Sequence, residues 1–406
     1  MNLSDFPIEL QLIVKAIKFS HVPSLSLTSE IENLSQREDI NWLFFSDLTL
    51  RHKVTPHLLP TLSQFGIKKH MPLACYSALK MHATINSCYV LKMIAEAKRL
   101  TTLLANAGIP SLLLKGPALS QQLYGQFATR EPRDLDLLIS NTHLKVVHSL
   151  ILQSGYVCCV PIEQTLTPKQ FKFYQKQKKS FVYYHKKTDQ QLELHWRLFD
   201  DAQLFPFELS ENISSLDQLH IADATIFTLG QEDNLLYLLL HGSHHAWSQL
   251  SWVYDIAQLV HRASSLNWIR IQKRVETLQI TFPITEGLLL AHLLFDTPLP
   301  PFFSELLKKH PVIKTLAGLS LRVIQNPVYM SKSARLTMFV REFRLHMALG
   351  SYLKPFTSNF DMVAADWELV HLPDKLFFLY YLLRPYLWIY RKILKYRSKK
   401  WTREPL

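Results

Sequence analysis

The chain has 406 residues, enough for two or more domains with substantial cores. Its 48% hydrophobic and 19% charged content excludes a disordered polyelectrolyte, and with no run of about 18 apolar residues no transmembrane helix is expected. Only 10 glycines argue for a mostly helical chain and against a glycine-rich dinucleotide-binding fold, while a net charge of +12 favours anionic partners such as nucleotides, nucleic acid or a membrane surface.

The first stretch, MNLSDFPIELQLIVKAIKF, carries early acids and breaks its apolar run at Gln11 and Lys15, so it does not read as a signal peptide. Cys75, Cys88, Cys158 and Cys159 form no CxxC pair and read as free thiols of a reducing compartment, which predicts a cytoplasmic protein. Residues 1–75 read as short helices, with Leu10, Ile13, Val14 and Ile17 at helical spacing. From about residue 76 to 107 one apolar stripe (Leu79, Ala83, Asn86, Tyr89, Met93, Ala97) predicts a long helix that Gly108 ends.

Leu112-Leu113-Leu114 reads as a short buried strand. Lys115-Gly116-Pro117 then opens a helix, with Gly116 expected as N-cap and Pro117 at the first helical position. In Asp134-Leu135-Asp136-Leu137-Leu138-Ile139, read as a strand, alternation sends the two aspartates to one face. Two carboxylates on one face repel and are costly to bury without a cation. Hard oxygen ligands of this kind suit magnesium, which keeps waters and substrate phosphates in its shell. Residues 142–155 read as a helix closing at Gly155. A strand pair follows at 181–185 and 191–196, with Leu192, Leu194 and Trp196 on one face and Glu193 and His195 on the other. From about residue 231 the chain reads as helical to its end.

A strand, a glycine turn, a helix and a strand bearing Asp-x-Asp is the core layout of the nucleotidyltransferase superfamily. The text KGPALSQQLYG…RDLDLLI, with HGSHHAW and Trp252-Val253-Tyr254-Asp255 further on, resembles an uncharacterised nucleotidyltransferase-like family of bacterial proteins. The resemblance implies an α+β fold with a polymerase-β-like core: a small mixed sheet at 108–200 embedded in helical regions at 1–107 and 201–373, with a basic amphipathic helix and tail at 374–406. It implies Asp134, Asp136 and Glu193 as catalytic and metal-binding residues, with Mg2+ or Mn2+ as cofactor and an NTP as substrate. Nucleotidyl transfer to a hydroxyl of a small molecule or peptide is the expected reaction. The alternatives are RNA-directed transfer and a non-catalytic nucleotide-binding protein of toxin–antitoxin type. Superfamily members usually carry Gly-Ser at the turn, and here Gly116-Pro117 lacks that hydroxyl.

Lys115, Gly116, Arg130 and Arg133 are the expected phosphate-binding residues, Lys as a point charge and Arg as a fork. His195 is expected either to be held in the sheet or to touch substrate. His241 and His245, four apart, share a helix face and with Asp255 would line an acceptor or base pocket. At 374–401 an apolar stripe (Leu376, Tyr380, Leu383, Leu387, Tyr390, Leu394) and a basic one (Arg384, Arg391, Lys395, Lys399) predict a terminal helix packed on the domain, with a weak polyanion or membrane-surface contact beyond it.

Overall fold

The structure is a computed structural model and describes residues 3–20, 22–161, 166–221, 224–262, 266–326, 331–348 and 364–393. The helices and strands run, in chain order, α1 (Ile8–Phe19), α2 (Leu25–Ser35), α3 (Trp42–Arg51), α4 (Thr55–Gln64), α5 (Leu73–Asn106), β1 (Ser111–Leu113), α6 (Gly116–Tyr124) and β2 (Leu135–Ile139). Then come α7 (Leu144–Gln153), β3 (Val157–Val160), α8 (Pro168–Gln177), β4 (Ser180–His185), β5 (Gln190–His195), α9 (Leu209–Asn212), β6 (Asp217–Ile221) and β7 (Ala224–Thr228). The rest is helical: α10 (Gln231–His244), α11 (Leu250–Arg262), α12 (Trp268–Thr277), α13 (Thr281–Phe295), α14 (Pro301–Lys309), α15 (Pro311–Gln325), α16 (Lys332–Ala348), α17 (Ala364–Leu369) and α18 (Leu379–Ile393). Helix with a mixed sheet makes this an α+β fold with helical flanks, as the sequence predicts. The β6–β7 hairpin is not anticipated from the sequence.

The chain divides into two compact units, the first of residues 1–100, 114–133 and 215–348, the second of 101–113, 134–214 and 349–406. In the first, helix starts follow side-chain capping: Ser24 accepts from the Leu27 N–H at 3.2 Å, Asn41 from Phe44 and Asn267 from Arg270, both at 3.0 Å. The centre of its core is α13, whose Ile284, Leu288, Leu290 and Ala291 are all buried. A helix apolar all round belongs inside. It carries one charge there, Glu286, which accepts from Arg341 and Ser320, both also fully buried. Arg341 also donates to the Ser243 carbonyl and hydroxyl, at 2.9 and 2.7 Å, so the ion pair is hydrogen-bonded throughout.

His52 joins three helices of this unit. Its Nδ1 accepts from the Leu250 N–H at 3.1 Å and its Nε2 faces the Ile324 carbonyl at 3.1 Å, an arrangement that fits only the neutral ring. Burial, aided by Arg51, pushes the His52 pKa down to about 3. Burial and Arg130 do the same to His57, also to about 3. A histidine depressed in the folded state binds its proton only after unfolding, so stability is lost as pH falls from about 6.5 toward 3. At pH 5 the two rings together remove up to about 4 kcal/mol relative to pH 7, at ~1.4 kcal/mol per pH unit per ring. Urea melts at pH 7 and pH 5 should show this loss, and His57→Phe should remove roughly half of it.

In the second unit five strands form a mixed sheet in the order β3-β4-β5-β2-β1. β2 and β5 run parallel, with Asp136 opposite Glu193 and Leu138 opposite His195. The neighbouring pairs β1–β2, β4–β5 and β3–β4 are antiparallel. Every residue of β2 is buried, as expected of a central strand with both faces covered. Phe181, Tyr183, Leu192, Leu194 and Trp196 fill the sheet's core, and His148 of α7 hydrogen-bonds the Tyr183 hydroxyl at 2.6 Å. Thr167 and Gln170 cap α8 reciprocally. Helix α18 lays Tyr380, Arg384 and Leu387 inward, and Phe377 in the turn before it is buried too. Arg384 is therefore not on a solvated basic stripe: both Asp366 carboxylate oxygens accept from its Nη1, at 3.0 and 2.8 Å. Leu376 and Tyr390 point outward, off the predicted apolar stripe, while Leu394, Lys395 and Lys399 lie outside the described residues.

Candidate active site

The chemistry-bearing groups of the second unit come together where β2 and β5 lie side by side. Parallel pairing puts Asp136 next to Glu193 on the same face, and alternation brings His195 to that face two residues on. His195 Nε2 lies 3.0 Å from Asp136 Oδ1 and 3.3 Å from Glu193 Oε2. One ligand atom from each of the three falls within 4.8 Å of the others, and among the described residues this is the one group of three or more metal-type ligands that do so. The His195 and Asp136 side chains are 0% and 3% exposed, and that of Glu193 is 22% exposed, so the cluster opens to solvent through Glu193.

Burial works against the Glu193 carboxylate and Asp136 repels it, yet the hydrogen bond and charge of His195, with help from Lys179, hold its pKa below the ordinary range. Both carboxylates accept on the same side of the ring, which places a proton on Nε2. His195 Nδ1 is buried and has no hydrogen-bond partner among the described residues. Two carboxylates and an imidazole on one buried face are a fitting donor set for a divalent ion. The oxygens suit Mg2+ and Mn2+, and an ion that took Nε2 as a ligand would first have to displace the proton His195 shares with the two carboxylates.

Asp134 sits in the bend before β2, half-buried, and is not among the three converging side chains. The sequence reading placed it on the strand beside Asp136, and strand geometry begins one residue later, at Leu135. His195, given only a supporting part by sequence, lies between the two acids. The signal for that was present in Glu193-x-His195, which period-two alternation sends to one face.

The first unit holds the other expected site residues. Lys115 is the N-cap of α6 and Gly116 its first residue, at φ +61°, a backbone angle that favours glycine. Gly116 is thus inside the helix and not its cap, one position later than the sequence suggests. Pro117 is accordingly the second helical residue and not the first, still within the turn where a missing N–H costs nothing. The loop from Gly125 to Arg133 is held by polar contacts. Asn86 donates to the Ala128 and Arg130 carbonyls, the Thr55 N–H donates to Glu131, and Tyr89 donates to the Arg133 carbonyl.

Arg130 is committed to Asp255. Its Nε lies 3.2 and 3.1 Å from the two carboxylate oxygens, and its Nη2 is 3.0 Å from Oδ2. Tyr124 donates to Asp255 Oδ1 at 2.7 Å. Burial pushes the Asp255 carboxyl up, while Arg130 and Tyr124 oppose that shift. His57 and Tyr254 close ring contacts around the pair. A guanidinium fork spent on a buried aspartate is a poor free phosphate ligand, and Asp255 acts here through Arg130 and Tyr124.

His241 and His245 do share a face, their rings 4.7 Å apart, and Trp252 lies 5.4 Å from each. Tyr237 continues the row 6.1 Å from His241, and the Lys115 ammonium stands over the Tyr237 ring at 6.0 Å. His245 is exposed, and His241 and Trp252 are half-buried. Gly242, between the histidines, makes room for Trp247. A Cβ there would come within 2.3 Å of the Trp247 ring, and one on Gly287 within 2.4 Å of its other edge. Gly242→Ala should therefore cost about 1–3 kcal/mol by overpacking. A thermal melt of that variant checks this, and an unchanged melting temperature would contradict the packing.

Paired carboxylates on adjacent central strands, beyond a glycine turn that opens a helix, define a nucleotidyltransferase-type core with a candidate metal site. The family described as "Uncharacterised nucleotidyltransferase" matches residues 38–296, and the chain belongs to it. No curated protein and no solved structure matches the chain.

Proposed function

We propose that the protein is a metal-dependent nucleotidyltransferase that moves an NMP from an NTP to a hydroxyl of a small-molecule or peptide acceptor. The observation that carries this reading is the convergence of Asp136, Glu193 and His195 in a chain of this family. Asp136 and Glu193 would hold Mg2+ or Mn2+ through their carboxylate oxygens. The bound ion supplies charge neutralisation and polarisation of phosphoryl oxygens. The residues themselves do the rest. His195 fixes the Asp136 carboxylate by its hydrogen bond and orients Glu193. Glu193, the accessible member, accepts the acceptor's hydroxyl proton. The freed oxygen forms its bond to the α-phosphorus as the bond to the β-phosphate bridge breaks, and pyrophosphate leaves. Arg130 is positioned by Asp255 and is not counted as a phosphate ligand. In the first unit, taken by itself, Lys115 and the His241–His245–Trp252 row offer a cation and stacking faces of the kind that suit a nucleotide.

A second reading, a nucleotide-binding protein without transfer activity, draws on two features. The usual serine is replaced in Gly116-Pro117, and Arg130 is paired with Asp255. Incubation with α-labelled and γ-labelled ATP and either metal separates the two. Label from the α-position in a covalent product, with pyrophosphate released, supports transfer. Metal-dependent nucleotide binding with the α-label never leaving the nucleotide, across hydroxyl acceptors and protein extract, would move the assignment to the second reading.

A further inference from the structure

The outward side of α18 is apolar where a surface helix should be polar. Its inward face is fixed: Arg384 pairs with Asp366, and the Tyr380 hydroxyl donates to the Val370 carbonyl at 2.6 Å and accepts from the Leu372 N–H at 3.1 Å. The opposite face carries Tyr381, Leu382, Tyr386, Ile389 and Tyr390, at helical spacing, with Phe378 exposed in the turn just before it. Leu382 is 72% exposed and Tyr386 63%. A contiguous apolar stripe of this kind marks an interaction surface.

We propose that this face of α18 lies in the interfacial layer of an anionic lipid bilayer. Charge selects that occupant. From Arg391 onward the sequence carries seven Lys or Arg residues against one acid, Glu404, and adds Tyr396 and Trp401. Aromatic residues favour the headgroup level, and a basic segment next to an apolar helix face is attracted by anionic lipid. Nucleic acid would leave Leu382 and Ile389 against phosphate, with no cation among those outward residues to neutralise it. The helix has 15 residues, about 22 Å at 1.5 Å per residue, too short to cross a hydrocarbon core of about 30 Å. No described helix is long and apolar enough to cross a membrane. It would therefore lie in the plane of the surface.

The test is flotation of the full-length chain with phosphatidylcholine vesicles, with and without phosphatidylglycerol, beside a Leu382→Ser/Tyr386→Ser variant. Both side chains point to solvent, so the variant should keep the native melting temperature and elution volume. The expected result is binding to the anionic vesicles, weakened by salt, and reduced about tenfold or more in the variant, since two apolar contacts are lost. Equal binding by native and variant chains would overturn the role of the helix, as would no binding to anionic vesicles. A salt-resistant dimer dispersed by the variant would assign the face to a second copy. Mixed-RNA binding lost in the variant would assign it to nucleic acid. Asp136→Asn should leave vesicle binding unchanged, so this result is independent of the proposed transfer activity.

Discussion

Mn2+ or Mg2+ at saturating concentration should raise the melting temperature of the native chain and leave Asp136→Asn and Glu193→Gln where they were. An ion that binds only the folded state stabilises it by about 2.7 kcal/mol at one hundred times its dissociation constant. Without metal, Glu193→Gln should melt below the native chain, because His195 holds the Glu193 pKa under its ordinary range and so favours the ionised carboxylate in the folded state in spite of burial and Asp136. Purely structural acids would give that loss of stability while the native melting temperature stayed independent of metal. In activity the amide variants should lose about a thousandfold or more, because metal clamping of phosphoryl charge contributes several kcal/mol. His195→Gln should lose about ten- to one hundredfold, the usual effect of a group that orients or completes a metal site. A native chain whose melting temperature responds to neither ion would sink the metal assignment.

The core of this site was legible because β-structure has a period of two. Asp136, Glu193 and His195 could be put on faces from local sequence alone, and the parallel pairing of β2 with β5 made those faces one. The parts that were not legible depend on where elements start and on partners far along the chain. Asp134 stands one residue before the strand begins and is not in the converging group, and strand ends are the least legible part of a sequence. Arg130 finds its partner 125 residues later, at Asp255, and no local pattern marks that pairing. Gly242, between two histidines of a helix, is required by the volume of Trp247, which no local pattern announces. The β6–β7 hairpin escaped notice because DQLHIADATIFT contains neither glycine nor proline to announce a turn. In α18 a helical stripe was visible, but its phase was not. Arg384 belongs to the inward face because Asp366, 18 residues earlier, accepts from it.

Removing Asp255 should be among the most damaging changes in the first unit. The Asp255 side chain is 2% exposed and that of Arg130 is 11% exposed, and the carboxylate accepts from both Arg130 and Tyr124. Asp255→Ala leaves a largely buried guanidinium and a buried phenol without their acceptor, a loss of about 3–5 kcal/mol. Arg130→Ala strands the aspartate instead and should cost a similar amount. The two losses share one cause, so they should not add. Arg130→Met/Asp255→Leu replaces the pair with apolar side chains of similar volume and should be more stable than either alanine variant. Urea melts of the native chain, the two alanine variants and their double alanine variant give the coupling, and the Met/Leu chain shows whether an apolar pair can replace the ion pair. The same set tests whether Arg130 is a phosphate ligand. With the charge gone but the loop still packed, the Met/Leu chain should keep metal-dependent ATP binding within a few-fold if Arg130 only holds Gly125–Arg133 in place. A tenfold or greater loss, about 1.4 kcal/mol, in a chain of restored stability would return Arg130 to the phosphate-binding set.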